Sequence, residues 1–536
     1  MSAIPMSYAC GKRSDRVGDS TVGEALQQAA ATWGGRVALV DGTTPSGPGR
    51  RWTFDSLLRD AEDVAHFLLA RFRPGEHVAV WAPNSPEWVL LEFGAALAGL
   101  TLVTVNPAYQ AQELAYVLSQ SDAVGLFTVR EYRQRNLPAV VDEVRSTLPA
   151  MRALFLLGEW GGDSVAAHGS GGLPEVRPDD IVQIQYTSGT TGFPKGALLT
   201  HRGIANNARF YARCIEATEE DIWVNPMPMF HTAGCGLATL GALQTGGVQV
   251  LPPGFDAGLM LRLLEAERGS ITLSVPTMLL GMLDHPEFSR RDLSSWRLIT
   301  LGGAPVPPDL VRRACRQVGA QVAIGFGQTE SSPYITHTSP GDPVEEWITT
   351  VGRPLPQCEV KIVDPTDSRT LPIGQIGEIC TRGYAVMKGY YKNPEATAAA
   401  LDRDGWLHTG DVGSLDARGY CRIEGRLKDM IIRGGENIYP REIEQLLFEH
   451  PAVADAAVVG IPDEVWGEIP VAFVRLSGSV QPTEEELAGF CRRHLASYKT
   501  PRHWRFVTQF PLTASGKVQK FVLRDQFIKH APHRSP

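Results

Sequence analysis

Residues 186–196 read Tyr-Thr-Ser-Gly-Thr-Thr-Gly-Phe-Pro-Lys-Gly, and they are the most informative segment of the chain. Residues 187–192 are all Gly, Ser or Thr, and one lysine, Lys195, follows them. Such a loop offers backbone N–H groups, hydroxyl donors and a cation, which are the groups that a polyphosphate requires. A Walker A loop is excluded because it needs Gly-Lys-Ser/Thr, whereas here Lys195 precedes Gly196. Taken alone, the string is also compatible with a solvated turn.

The segments around this loop indicate the fold that carries it. Residues 181–186 and 197–200 have the pattern of strands, so the loop joins two strands rather than opening a helix. Upstream, His77–Trp81 and Thr101–Val105 are compact apolar runs separated by a helical stretch at residues 87–100. Strand, helix and strand at this spacing are typical of parallel βαβ units with helices on the sheet faces. The predicted fold class is α/β.

The sequence pattern changes near Val412. The elements predicted after this point are a hairpin turn at 415–420, helices at 441–450 and 483–495, and a strand at 454–460. We therefore expect a large N-terminal domain of layered α/β subdomains at residues 1–427. A small α+β domain is expected at residues 428–536.

Composition limits the class of protein. The 536 residues are 43% hydrophobic and 21% charged, as in ordinary globular proteins. The 51 basic and 59 acidic side chains give a net charge of −8, which argues against broad nucleic-acid binding. The first 16 residues lack the apolar core of a signal peptide, and the apolar stretch 89–103 is short and interrupted by Glu92. Eight cysteines in so long a chain are typical of a reducing compartment. We expect a cytoplasmic protein without a membrane span or a nucleic-acid partner.

Five further segments share their order with the loop in one known superfamily. They are Gly325-Phe326-Gly327-Gln328-Thr329-Glu330, Thr409-Gly410-Asp411, Gly425-Arg426-Leu427-Lys428-Asp429, Gly434-Gly435-Glu436-Asn437-Ile438-Tyr439-Pro440 and Ser515-Gly516-Lys517. Together with residues 186–196 they closely resemble the adenylate-forming superfamily, which includes acyl-CoA synthetases, peptide-synthetase adenylation domains and firefly-type luciferases. The resemblance covers about residues 21–524 and is greatest to fatty-acid CoA ligases. A single short match is weak, whereas six in order are specific.

The resemblance implies an AMP-forming acid–thiol ligase. In this chemistry a carboxylate and Mg·ATP give an acyl-adenylate and pyrophosphate, and a nucleophile then takes the acyl group. The carboxylate is already ionised at pH 7, so the first step needs positive charge between two anions rather than a general base. Lys517 is implied as the catalytic residue that bridges the α-phosphate and the carboxylate. The alternative for Lys517 is an exposed lysine in a turn.

The resemblance also assigns residues to ATP and Mg²⁺. Glu330 is implied as the catalytic Mg²⁺ ligand, since a hard cation prefers carboxylate oxygen, and its alternative is a helix-start carboxylate. Phe326 is implied to stack on adenine, where the family more often has tyrosine. Asp411 is implied to bind both ribose hydroxyls, and its alternative is a turn aspartate. The other implied ATP contacts are Thr187, Ser188, Gly189, Thr190, Thr191, Gly192, Lys195, Gly303, Ala304, Pro305, Gly325, Gly327, Thr329 and Arg426.

Three further assignments concern the acyl group and its acceptor. His231 is implied to orient the carboxylate or gate its pocket, against the alternative of a histidine satisfied in the core. Lys428 falls at the hinge about which the C-terminal domain turns between two poses, or it is simply a linker charge. Gly434, Gly435 and Glu436 are implied to line the thiol entrance in the second pose.

The sequence says less about which molecule accepts the acyl group and which acid is activated. Coenzyme A is the expected co-substrate because free-standing members of the family are mostly acyl-CoA ligases; a carrier protein or an amine is the alternative. A non-catalytic nucleotide sensor is disfavoured, since a binder does not need both Lys517 and Glu330. Residues 235–238 and 331–334 mix small and apolar types, which favours a hydrophobic pocket and a medium-chain or longer aliphatic acid. Aromatic and alicyclic acids stay open, and the oligomeric state is not predicted.

Overall fold

The computed structural model describes residues 5–43, 49–159, 172–187, 194–478, 481–512 and 518–530. By its internal contacts the chain divides into two compact units. The larger unit comprises Ala9–Val360 and Thr381–His408. The smaller unit comprises the described parts of Met1–Tyr8, Lys361–Cys380 and Thr409–Pro536. Each is described by itself below.

One sheet of the larger unit carries the predicted phosphate loop. Six strands of the described chain form it, in the spatial order Lys195–Thr200, Ile181–Thr187, Thr101–Val105, His77–Trp81, Gly125–Thr128 and Ala153–Leu156. All pairs are parallel except the first, which is antiparallel. The predicted βαβ unit and the strand-to-strand loop are therefore confirmed.

A second sheet of the larger unit is mostly parallel. Its described strands run in the order Arg353–Pro354, Tyr334–His337, Gln321–Gly327, Leu298–Gly302, Ile271–Ser274, Ile222–Val224, Val248–Leu251, Val37–Asp41 and Arg51–Thr53. Antiparallel pairing is confined to the two ends of the sheet. A small hairpin lies apart and consists of Glu131–Tyr132 and Arg135–Asn136. The predicted α/β class is confirmed.

The helices of the larger unit begin where the sequence supplies caps. Thr53 accepts a hydrogen bond from the N–H of Ser56 at the start of Phe54–Leu69. Ser85 caps Pro86–Leu97, which has proline at its first position. The other α-helices are Val22–Trp33, Ala111–Gln120, Leu137–Val144, His201–Cys214, Gly241–Thr245, Ala257–Ala266, Pro276–Leu283, Pro308–Val318, Val344–Thr349 and Pro394–Ala400. Ala233–Leu240 is a π-helix, and short 3₁₀ turns lie at Arg145–Thr147, Phe288–Arg290 and Thr329–Ser331.

The smaller unit contains two sheets and three α-helices among its described residues. The first sheet has the order Tyr8–Cys10, Glu359–Val363, Gly377–Arg382, Leu407–Leu415 and Cys421–Arg426. In the second, the order is Glu436–Ile438, Ile431–Arg433, Gly467–Leu476 and Val453–Asp463, with His503–Phe506 also paired to Gly467–Leu476. The α-helices are Pro440–Phe448, Glu484–His494 and Lys520–His530, and 3₁₀ turns lie at Leu427–Asp429 and Ser497–Lys499.

The boundary of the smaller unit differs from the predicted division at residues 427 and 428. Residues 361–380 and 409–427 belong to the same compact unit as the C-terminal part, although their strands form a sheet of their own and the strands after residue 430 form the other sheet. Lys428 stays a prediction for the point of rotation, which need not coincide with the edge of a compact unit. No helix among the described residues combines the length and the apolar character needed to cross a membrane.

Candidate active site

The two ends of the predicted phosphate loop face each other in the larger unit. Thr187 ends one strand, Lys195 begins the next, and the two residues form an antiparallel pair. Ser188, Gly189, Thr190, Thr191 and Gly192 lie outside the described residues. No ion pair joins the Lys195 ammonium to a carboxylate in the described part of the chain. A cation at the end of this loop suits the predicted contact with phosphate.

Tyr390 contacts both Glu330 and Lys195. Glu330 belongs to the 3₁₀ turn Thr329–Ser331 and is only 9% exposed. The Tyr390 hydroxyl donates a hydrogen bond to Oε1 of Glu330 at 2.7 Å. The Lys195 ammonium lies 5.1 Å from the centre of the Tyr390 ring, within the range of a cation–π contact. Burial, and then the negative charge of Glu330, raise the pKa of Tyr390, so its hydroxyl stays protonated and donating at neutral pH.

The donor chemistry of Glu330 fits the implied Mg²⁺. Oε1 accepts the Tyr390 hydroxyl, and among the described residues no hydrogen bond or ion pair engages Oε2. A nearly buried carboxylate with one oxygen uncommitted suits a cation whose remaining ligands are water and phosphate. Glu330 is therefore a suitable Mg²⁺ ligand by position and by chemistry.

The segment predicted to contact adenine contains two glycines at positions where neighbouring atoms leave no room for a side chain. A Cβ on Gly325 would lie 2.4 Å from the ring of Tyr334, and one on Gly327 would lie 1.9 Å from the carbonyl oxygen of Pro333. Any side chain at either position would displace its neighbour. Phe326 between them is half-buried, so part of its ring is accessible for stacking.

Residues 303–305 lie at the same sheet edge as this segment. Gly302 and Gly325 pair where the parallel strands Leu298–Gly302 and Gln321–Gly327 end. The chain then turns at Gly303, whose φ of +75° is a conformation that glycine adopts without strain. Ligands of open α/β sheets bind beyond the carboxyl ends of the strands, so this position suits the predicted nucleotide contacts.

The segment around His231 is fixed by buried side chains. Asn84 and Thr104 donate hydrogen bonds to two of its backbone carbonyls, at 3.0 and 2.8 Å. Nδ1 of His231 accepts the N–H of Ala233 at 3.1 Å, so a neutral ring carries its proton on Nε2. The π-helix Ala233–Leu240 follows, and all of its residues are buried. The backbone at His231 is thus held firmly.

A buried polar network links the strand before the phosphate loop to this π-helix. Gln183 donates to Oε1 of Glu92 at 2.8 Å, and Gln185 donates to Gln183 at 2.7 Å and to the Cys235 thiol at 3.2 Å. Burial raises the pKa of Glu92 well above its ordinary value, and burial also raises the pKa of the Cys235 thiol. Burial thus disfavours charge within this network, which connects the strand before the phosphate loop to the segment that follows His231.

Asp411 and Arg426 form a pair in the smaller unit. They face each other across the antiparallel strands Leu407–Leu415 and Cys421–Arg426, and Nε of Arg426 donates to Oδ1 of Asp411 at 2.9 Å. The Asp411 side chain is 8% exposed and that of Arg426 is 44% exposed. The arginine thus orients a nearly buried carboxylate.

Gly434 and Gly435 form the two-residue turn of a hairpin between Ile431–Arg433 and Glu436–Ile438. Their φ angles of +59° and +89° suit a tight hairpin turn that disfavours residues with a Cβ. The N–H of Gly434 donates to the carbonyl of Trp466 at 2.8 Å. Glu436 is exposed beside the turn. The predicted thiol-entry segment is therefore an exposed, hydrogen-bonded hairpin turn.

Several residues that support the site carry no local signal in the sequence. Tyr390, Asn84 and Thr104 had no local signal, because each acts on a segment distant in the chain. Lys517 lies outside the described residues. Lys428 lies in the 3₁₀ turn Leu427–Asp429.

Two family models match the chain. The model described as AMP-binding enzyme matches residues 26–391, and the model described as AMP-binding enzyme C-terminal domain matches residues 442–517. Both matches agree with the order of the motifs.

The chain also matches known proteins over nearly its whole length. The chain is 40% identical to the putative acyl-CoA synthetase YngI of Bacillus subtilis, over 95% of this chain and 97% of that protein. It is 36% identical to the mitochondrial medium-chain acyl-CoA ligase ACSF2 of Macaca fascicularis, over 98% and 90% respectively. ATP-bound MatB from Rhodopseudomonas palustris superposes with a TM-score of 0.86 at 29% identity, covering 94% of this chain and 99% of that one. The chain belongs to the AMP-binding enzyme family, that is, to the adenylate-forming superfamily that its motifs resemble.

Proposed function

We propose that this protein is an ATP-dependent ligase that activates a medium-chain or longer aliphatic acid and transfers its acyl group to coenzyme A. Its coarser class, an AMP-forming acid–CoA ligase, follows from its family and its full-length relatives. The observation that carries the proposal is the meeting of the Glu330 carboxylate and the Lys195 ammonium at Tyr390. One place then offers a metal ligand and a phosphate-binding cation.

The first step joins the acid to AMP. A carboxylate oxygen of the acid attacks the α-phosphorus of ATP, the bond from that phosphorus to the β-bridging oxygen breaks, and pyrophosphate leaves. Lys517 places a positive charge between the two anions, and Lys195 binds the phosphates. Glu330 would hold Mg²⁺, which when bound would supply positive charge against the phosphates. Asp411 accepts hydrogen bonds from the ribose hydroxyls.

The second step transfers the acyl group. The sulfur of coenzyme A attacks the acyl carbonyl carbon, the bond from that carbon to the AMP oxygen breaks, and AMP leaves while the thiol proton passes to solvent. In our proposal residues 428–536 turn about Lys428 between the steps. The hairpin at Gly434 and Gly435 then lines the path of the thiol. The same protein thus carries out both reactions in turn.

The character of the acid is inferred from the surroundings of His231. The π-helix that follows contributes Ala233, Leu237 and Ala238 to a buried apolar cluster that also contains Met227 and Tyr334. In our proposal the acyl group packs against this cluster, whose apolar side chains favour a hydrocarbon chain, with His231 orienting the carboxylate. The ACSF2 relatives carry the name medium-chain acyl-CoA ligase, in keeping with this choice.

A cytoplasmic location is also part of the proposal. The eight cysteines form no disulfide bond in the described part of the chain, which includes all of them. Such use of cysteine fits a reducing compartment.

The proposal is tested by following pyrophosphate release with a panel of aliphatic, aromatic and alicyclic acids, each with and without coenzyme A. We expect multiple turnovers with aliphatic acids only when coenzyme A is present, and none from a Glu330→Gln variant. Slow release of pyrophosphate that coenzyme A does not accelerate would contradict coenzyme A as the acceptor. A carrier protein or an amine would then be tested as the acceptor. Release with aromatic acids alone would contradict the aliphatic substrate.

A further inference from the structure

Tyr390 touches both residues that carry the proposed function. Its hydroxyl donates to Oε1 of Glu330 at 2.7 Å, and its ring lies 5.1 Å from the Lys195 ammonium. We propose that Tyr390 is a positioning residue that sets the metal-binding carboxylate of Glu330 and the phosphate-binding ammonium of Lys195 in a fixed relation before Mg·ATP arrives. This inference rests on the proposed function, since it concerns the same site.

The backbone fixes Tyr390 beside the strand that begins with Lys195. Tyr390 forms an antiparallel bridge with Ala197, and backbone hydrogen bonds of 2.8–3.0 Å flank the bridge on both sides. The segment 387–391 therefore continues the sheet next to Lys195–Thr200. A ring at Tyr390 lies beneath the lysine because of this register.

The same segment is also tied to the turn that carries Glu330. The N–H of Met387 donates to the backbone carbonyl of Glu330 at 2.8 Å, and the Tyr390 hydroxyl reaches the side chain of Glu330. The segment 387–391 thus holds both the backbone and the side chain of Glu330. The hydroxyl restricts the carboxylate to one orientation, in which Oε1 is occupied and Oε2 is left for a cation.

The charges of Glu330 and Lys195 suit the binding of Mg·ATP because the two residues contact Tyr390 instead of forming a salt bridge with each other. A direct salt bridge between Glu330 and Lys195 would satisfy both groups and compete with metal and phosphate. The neutral tyrosine contacts each charge without neutralising it, because it gives a hydrogen bond to the anion and a π-face to the cation. Both charges stay available.

Two substitutions separate the two contacts. Tyr390→Phe removes the hydroxyl but keeps the ring beneath Lys195, whereas Tyr390→Leu removes both. Mn²⁺ binding to the complex of protein and a non-hydrolysable ATP analogue is followed by electron paramagnetic resonance, and binding of the metal-free analogue by calorimetry. We expect Tyr390→Phe to weaken Mn²⁺ binding about tenfold with little change for the metal-free analogue. Tyr390→Leu should weaken both.

Tyr391→Phe is the matched control. The neighbouring Tyr391 hydroxyl donates to Oδ2 of Asp122 at 2.8 Å, away from Glu330, so its removal should leave Mn²⁺ affinity unchanged. Thermal unfolding of every variant verifies that the fold is retained. If Tyr390→Phe binds Mn²⁺ as tightly as the parent, the positioning role is wrong. If the parent itself binds no metal–nucleotide complex, the proposed function fails, which is a different result.

Discussion

Arg426 donates a hydrogen bond from Nε to Oδ1 of Asp411 at 2.9 Å, and the two residues face each other across neighbouring antiparallel strands. The contact occupies one oxygen of a carboxylate that is 8% exposed. An oriented carboxylate can accept two hydrogen bonds from neighbouring hydroxyl groups, as the two hydroxyls of a ribose require. The proposed contact of Asp411 with the ribose of ATP uses this property of an oriented carboxylate.

Asp411→Asn should raise the KM for ATP. The amide retains the shape of the side chain but loses the charge, and hydrogen bonds to charged groups are the stronger ones, so we expect an increase of about 10- to 100-fold. The KM for the acid should change little. Initial rates of pyrophosphate release at varied ATP measure the effect.

Asp416→Asn is the control for this substitution. Asp416 lies in the same hairpin and also pairs with an arginine, Arg418, but its Oδ1 accepts backbone N–H groups of the turn. The amide oxygen of asparagine preserves those contacts, so the KM for ATP should be unaffected. An equal rise in both variants would mean that the hairpin, and not the ribose contact, had been altered.

Lys517→Ala should separate the two half-reactions. Loss of a well-placed charge between two anions lowers the adenylation rate by about 10²–10³-fold. Thioester formation from a supplied acyl-adenylate should be largely retained, since that step brings a thiol to an already activated carbonyl. Single-turnover assays of each half-reaction measure the split, with the exposed Lys529→Ala as control. An equal loss in both half-reactions would contradict the role.

The features that could be predicted from the sequence are those encoded locally. The strands on either side of Thr187 and Lys195 follow from short apolar runs, and the hairpin after Leu415 follows from its turn residues. Tyr390 could not be found in this way, because its hydrogen-bond partner is 60 positions away and nothing near it in the chain marks the contact. Pairing between distant segments decides such contacts.

The edge of the compact smaller unit is another feature without a local sign in the sequence. Nothing in the local sequence of the strand Gly377–Arg382 indicates that it pairs with Leu407–Leu415 rather than with strands of the N-terminal part. The sequence pattern does change near Val412, but this residue lies within the strand Leu407–Leu415 rather than at the edge of a folded unit. Composition therefore located a change in pattern and not the limit of a folded unit.

The buried His201 should make stability depend on pH below neutrality. Burial lowers the pKa of His201 to about 4, and its Nδ1 accepts the N–H of Val22 at 3.2 Å. Between pH 6.5 and 4 the unfolded chain binds a proton that the folded chain excludes, so stability falls as pH decreases. The loss approaches about 3 kcal/mol at pH 4 and does not grow further below it.

His201→Asn should reduce this dependence, since asparagine can accept the same N–H but does not titrate. The quantity to compare is the slope of unfolding free energy against pH between 4 and 6.5, obtained from urea unfolding, because the absolute stability also reflects lost packing. The exposed His494→Asn should leave the slope as in the parent. An unchanged slope in His201→Asn would show that other groups govern the acid sensitivity.

Lys428→Pro should impair the alternation between the two steps more than ATP binding. Lys428 lies in the turn Leu427–Asp429, and proline there fixes φ and restricts the preceding residue to extended conformations. If the chain must rotate about this position, the overall rate with coenzyme A should fall at least about tenfold while acid-dependent pyrophosphate exchange persists. Lys428→Ala removes the charge but leaves the backbone free, so it should retain most of the overall rate. Equal loss in both variants would assign the effect to the lysine charge, and no loss in either would place the point of rotation elsewhere.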